Sequence, residues 1–215
     1  MGIVAEVFNL TTGIISAIGY PGIFGLMLLE GMLLPIPSEV VMAFGGYLIY
    51  TGQLTGFLYA PAFLILLLVG TFGNLSGAMI AYYIGYYGGE PLIVRYGKYV
   101  FLDEASVKHV QRWFQKYGPE SVFGTRLVPI FRTFISIPAG IGKMNIRLFA
   151  SLTFLGSLIW DSVLIYFGIS LGRNWQKIIL FFDQYQYVAI GAIIVLVGLF
   201  FINKLAKKRT GNSVQ

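Results

Sequence analysis

The chain has 215 residues, 57% hydrophobic and 11% charged, where a soluble globular protein carries about 25% charged residues; it reads as an integral membrane protein. Its net charge of +6 does not call for nucleic acid, because the basic residues lie in loops and in the tail Lys204, Lys207, Lys208 and Arg209, as membrane topology alone arranges them. The chain has no cysteine, which excludes disulfides and thiolate metal sites, and no cofactor or metal is expected.

In chain order, the start "MGIVAEVF" lacks the cationic region of a cleavable signal, so insertion by the protein's own helices is expected. Residues 1–20 either cross the membrane or lie on it. Next comes "GIFGLMLLEGMLLPIPSEVVMAFGGYLI", which carries Glu30, Pro35, Pro37, Ser38 and Glu39. Between Glu39 and Glu90 no residue is charged, which leaves room for the span predicted at about 62–87. The segment "DEASVKHVQRWFQKYGP" predicts an interfacial amphipathic helix over about 103–117. Asp103 would cap it, Val107, Val110, Phe114 and Tyr117 would form its apolar face, and Gly118-Pro119 would stop it. His109 on this helix is expected to be exposed.

A second broken stretch, "PESVFGTRLVPIFRTFISIPAGIG", holds Arg126, Pro129, Arg132, Pro138 and Gly140. Each proline removes a backbone donor and disfavours helix in the residue before it. In lipid, such breaks are tolerated where the backbone is buried in protein or lines a wet cavity. Both stretches, about 23–50 and 120–142, therefore read as re-entrant helical hairpins. A span at about 148–171 follows, then a last one at about 183–203 and the basic tail 204–215. The tyrosines Tyr82, Tyr83, Tyr86 and Tyr87 read as an interfacial aromatic belt.

The expected fold is a single all-α membrane domain, with two re-entrant hairpins packed among several transmembrane helices. The order hairpin–span–hairpin–span suggests an inverted repeat. Gly73, Leu75, Tyr83, Gly85 and Gly89 align ungapped with Gly156, Leu158, Tyr166, Gly168 and Gly172. Repeats with paired broken helices place a transporter's binding site where the breaks meet. Lysine and arginine are dense over 95–116 and in the tail and absent from 51–60, which places the C-terminus in the cytoplasm. Arg173 and Lys177 are a minor violation of that rule.

Five ionisable residues fall in membrane-embedded stretches: Glu30, Glu39, Arg126, Arg132 and Asp161. A charge at mid-bilayer costs about 2.5–3.5 kcal/mol even on insertion scales, so each needs a partner or a task. One reading pairs acids with arginines only to pin the hairpins together. The other uses the arginines, permanently charged and forked, to hold a lipid phosphate. The acids would then gain and lose protons during a cycle. Asp161 is placed with the acids as a third proton carrier or an arginine partner. Trp160, Pro35, Pro37, Ser38, Pro129, Pro138 and Gly140 are expected to shape the site.

A Glu followed by Pro-x-Pro-Ser-Glu, then Arg-x-x-Pro-x-x-Arg leading to Pro-Ala-Gly, then Gly-x-x-x-Trp-Asp, resembles the DedA family, which shares the VTT domain. The likeness covers about residues 20–175. It implies facing re-entrant hairpins, residence in the bacterial inner membrane and proton-motive-force-linked transport of lipid phosphates. Undecaprenyl phosphate recycling is foremost, with phosphatidylethanolamine translocation as the alternative. It also implies that Glu30, Glu39, Arg126 and Arg132 are required. Gly31 stands where many members place Asn. An intramembrane lipid phosphatase is the competing enzyme reading, with Ser38, Thr125 and Thr133 as the available hydroxyls. An ion antiporter and a scaffold are weaker readings, and the oligomeric state is left open, a homodimer included.

Overall fold

The computed structural model describes residues 3–57, 60–100, 104–128 and 131–174. Pro129, the expected span over 183–203 and the basic tail lie outside the described residues, as do the side chains of 89–111, His109 among them. The chain divides into two units, Met1–Glu6 with Asn174–Gln215, and Val7–Arg173. The second contains all the site residues among those described.

Among the described residues the structure is all helical, apart from an isolated bridge between Phe57 and Ala60. The elements are α1 (Ile3–Ile18), α2 (Tyr20–Gly31), α3 (Ser38–Tyr50), α4 (Ala62–Val100), α5 (Glu104–Arg126), α6 (Phe131–Phe134), α7 (Ser136–Ile141) and α8 (Ile146–Ser170). Among the described residues two stretches are long and apolar enough to cross a membrane: Ala62–Gly88 within α4, and α8. At 27 and 25 residues they reach about 40 Å and 38 Å, against about 30 Å of hydrocarbon. By contrast α2 and α3, with 12 and 13 residues, reach only about 18 and 20 Å each.

The break between α2 and α3 follows from its sequence. Leu33 N–H bonds Glu30 C=O at 2.9 Å and Leu34 N–H bonds Leu29 C=O at 3.1 Å, which closes α2 in a Schellman turn. Leu33 occupies the turn's left-handed position at φ 73°. Proline at 35 and 37 then prevents the helix from resuming until Ser38. The turn after α7 repeats the motif: Lys143 sits at φ 51°, with Lys143 N–H on Gly140 C=O and Met144 N–H on Ala139 C=O. Asn145 then caps α8, its side chain accepting from the amides of Arg147 and Leu148.

Packing alternates between the two long helices. α2 and α7 lie on α4, α3 and α5 lie on α8, and α4 contacts α8. Glycines bring these backbones together. A Cβ on Gly77 would stand 2.0 Å from Leu28 C=O, and one on Gly31 2.5 Å from Asn74 C=O; no side chain fits at position 31, which accounts for its glycine. The glycines that align in the sequence make parallel contacts. Gly73 meets Phe24 of α2 where Gly156 meets Arg126 of α5, and Gly85 meets Ile137 of α7 where Gly168 meets Ala43 of α3.

Two sequence expectations need correction. The helix predicted to stop at Gly118-Pro119 continues through Pro119 to Arg126. Proline's lost donor is tolerated where α5 is packed, with Phe114 and Val122 buried against Ala139, Met144 and Phe149. Tyr82 is not part of an exposed belt. It is buried, packs its ring against Phe149 with centroids 4.9 Å apart and donates to Met144 C=O at 2.5 Å, while Tyr83, Tyr86 and Tyr87 are exposed.

Candidate functional site

Where the broken segments meet α4 and α8, polar groups from seven helices, α2 to α8, form one buried cluster. Arg126 is 1% exposed, Arg132 2%, Glu30 5%, and Asp161 and Asn74 0%. Glu30 arrives on the last turn of α2 and Ser38 on the first of α3. Arg126 ends α5, and Arg132 lies in the short α6. Thr71 and Asn74 come from α4, Ser136 from α7, and Ser157 and Asp161 from α8.

Arg132 is the ion-paired member. Its Nη2 donates to Glu30 Oε1 at 3.0 Å and also to Ser38 Oγ. Its Nη1 stands 3.9 Å from Asp161 Oδ1, close enough for attraction but not a hydrogen bond. Thr71 Oγ1 donates to Asp161 Oδ2 at 3.2 Å, and Asp161 Oδ1 has no hydrogen bond among the described residues.

Arg126 is held differently. Nη1 donates to Asn74 Oδ1 at 3.3 Å and Nη2 to Ser136 Oγ at 3.1 Å, both neutral acceptors, while Nε has no partner among the described residues. The face of Phe149 lies 5.8 Å from its Cζ. Glu30 and Asp161 act on Arg126 only through longer-range attraction, and among the described residues no carboxylate forms an ion pair with it. A buried guanidinium with only neutral contacts is an incomplete arrangement, since leaving a buried charge without its partner costs on the order of 3–5 kcal/mol. The Nε–Nη2 edge, one N–H free and the other on a hydroxyl, is a fork suited to two oxygens of an anion.

Of the residues singled out in the sequence, Glu30, Arg126, Arg132, Asp161 and Ser38 therefore converge. Glu39, in the first turn of α3, is half-buried; it lies within electrostatic reach of Glu30 and Asp161 but forms no ion pair among the described residues. Pro37 precedes α3, its carbonyl accepting from the amides of Val40 and Val41, and Pro35 is exposed in the turn. Pro138 lies in α7 and Gly140 seats that helix against Tyr82 C=O, so both act on helix placement. Trp160 is half-buried with its Nε1 unbonded among the described residues and takes no part in the polar cluster.

Sequence reasoning missed Asn74, Ser136, Ser157 and Thr71. Asn74 had a visible signal: it is a carboxamide in the middle of a long uncharged span, where polar side chains gain most from partners on other helices. Its position aligns with Ser157 by the same offset that aligns Gly73 with Gly156, and Ser157 Oγ donates to Asn74 Oδ1 at 2.9 Å.

Comparison with known proteins gives concordant results. The VTT domain matches residues 36–170. The chain is 36% identical over 197 residues to undecaprenyl phosphate transporter A of Bacillus subtilis, covering 91% of this chain and 92% of that one. It is 32% identical to undecaprenyl phosphate transporter A of Staphylococcus aureus, covering 94% and 98%. A Lactococcus lactis protein named alkaline phosphatase-like is 35% identical, covering 89% and 90%. No solved structure matches the chain. With a domain match over well over half of its length, and relatives above 30% identity along nearly all of it, the chain belongs to the VTT-domain family, the DedA membrane proteins.

Proposed function

We propose that this protein carries a phosphate-bearing lipid, undecaprenyl phosphate in the first instance, across the bacterial cytoplasmic membrane with transport coupled to the proton gradient. The observation that carries the reading is Arg126: fully buried, permanently charged and, among the described residues, held by neutral groups with an unbonded N–H on the edge that forks onto phosphate. Arg132, already paired with Glu30 and near Asp161, belongs to the coupling half of the site. In the lipid-free state the two acids attend Arg132. A phosphate that engages Arg126 brings negative charge into the cluster, and a proton taken up by Glu30 or Asp161 offsets it. Binding and protonation then favour each other by the same factor. Glu39, nearby and half-buried, is the acid suited to pass protons to this pair.

The alternating packing and the parallel glycine contacts support two re-entrant segments related as an inverted repeat, the architecture in which such sites form between broken helices. The relatives named as undecaprenyl phosphate transporters support the lipid. The phosphatase reading finds less support. Ser38 Oγ is held by a guanidinium, which cannot take its proton. Thr125 Oγ1 donates to Ser121 C=O within its own helix.

The test is transport by purified protein in proteoliposomes under an imposed pH gradient. Undecaprenyl phosphate should cross, with a rate that follows the gradient, while phosphatidylethanolamine should not compete. Arg126→Lys should abolish transport, because an ammonium keeps the charge but not the fork. Movement no faster than in protein-free vesicles, or equal movement of phosphatidylethanolamine in wild type and Arg126→Lys, would overturn the reading.

A further inference from the structure

Asn74 is the one described side chain that bridges an acid and Arg126. Its Nδ2 donates to Glu30 Oε2, and its Oδ1 accepts from Arg126 Nη1 and from Ser157 Oγ. A carboxamide has a donor end and an acceptor end that cannot substitute for each other. With Glu30 ionised, every one of these contacts is matched, donor to acceptor. Glu30 Oε1 is occupied by Arg132, so a proton arriving on this carboxyl goes to Oε2, the oxygen that faces Asn74. Two donors then point at each other. The conflict is relieved if the carboxamide reverses, presenting Oδ1 to the new O–H and Nδ2 towards Arg126. Ser157 can turn its hydroxyl and accept, but Arg126 Nη1, which has only protons to offer, cannot. It loses its partner and joins Nε as an unbonded N–H.

We propose that Asn74 is a positioning residue that links the protonation of Glu30 to the anion affinity of Arg126 by reversing its carboxamide. This rests on the reading of Arg126 as the phosphate receptor. The charged groups that face Glu30 and Arg126 are Arg132 from α6, Asp161 from α8 and Glu39 from α3. Among the described residues, α4 and α7 contribute the neutral Thr71, Asn74 and Ser136. Of these groups, Arg132 and Asp161 touch neither end of the Asn74 amide, so a pH effect routed through Asn74 has Glu30 as its origin.

The experiment measures affinity for undecaprenyl phosphate in nanodiscs across the acid-to-neutral range. It compares wild type, Asn74→Leu, Glu30→Gln and the double variant. Titration of the phosphate itself is common to all four, so Glu30→Gln supplies the baseline. Wild type should gain affinity on acidification relative to that baseline by about tenfold, within the range typical of coupled sites. Asn74→Leu should lose most of that gain, and adding it to Glu30→Gln should change the slope no further, the non-additivity of residues on one path. Should the leucine variant fail to fold, Asn74→Ser, which keeps a hydroxyl but not two distinct ends, should show the same flattening. Retention of the wild-type slope by a folded Asn74 variant overturns the inference while leaving the phosphate reading intact. Absence of binding by wild type at every pH overturns both.

Discussion

A methyl group added to Gly156 would stand 2.5 Å from Cβ of Arg126, so this glycine on α8 sets where the arginine's stem can lie. Gly156→Ala should displace the Arg126 side chain, guanidinium included, from its place in the cluster and weaken phosphate-lipid binding by about tenfold or more, since charge-assisted hydrogen bonds to a phosphate weaken steeply when the donor is misplaced. Overpacking of this kind costs roughly 1–3 kcal/mol in stability. Equilibrium binding measured beside thermal unfolding checks the prediction: a stable variant with wild-type affinity would count against it. At this scale the sequence was most legible for charge. Glu30, Arg126, Arg132 and Asp161 stand out because ionised groups in an apolar segment demand partners. The uneven sharing of acids between the two arginines was not legible, because it depends on which turn of which helix faces which. Ser136, Ser157 and Thr71 were invisible for a related reason: hydroxyls can satisfy themselves on their own helix backbone, as Ser76, Ser121 and Ser162 do here.

The helical elements end where their turns allow, and two of those turns are strained. Leu33 and Lys143 both hold the left-handed conformation, which costs a side-chain-bearing residue roughly 1–2 kcal/mol. Lys143 is exposed, so Lys143→Gly removes the strain without opening a cavity and should raise stability by on the order of 1 kcal/mol. Thermal unfolding of the purified protein checks this, and a lower midpoint would mean that the lysine makes a compensating contact. At the crossing of α2 and α4 the sign reverses. Gly77→Ala places a methyl against Leu28 C=O and should destabilise by roughly 1–3 kcal/mol. It should also disturb Glu30, two residues after Leu28. The breaks in both helical segments were readable from their prolines, whereas the continuation of α5 through Pro119 was not. A proline removes one hydrogen bond locally, and the buried packing of Phe114 and Val122 holds the helix on both sides of it.

Across the whole molecule, the short helices α2 and α3 and the broken run from α5 to α7 converge between two long apolar helices, with the ionisable groups at the meeting point. The sequence conveyed this plan through its order of segments and its aligned glycines, but not the exchange by which each broken segment packs one arm on α4 and the other on α8. If the first segment is re-entrant, cysteines at the exposed Ile18 and Gln53, on either side of α2–α3, should label from the same side of the membrane in intact cells. Labelling from opposite sides would make that segment a span. The central claim, that Arg126 is the receptor for a lipid phosphate, is reached most directly by native mass spectrometry of protein purified with its bound lipid. Wild type and Glu30→Gln should each carry a polyprenyl phosphate, and Arg126→Gln, expressed and folded to the same level, should carry none. Equal occupancy in Arg126→Gln and wild type would contradict the account.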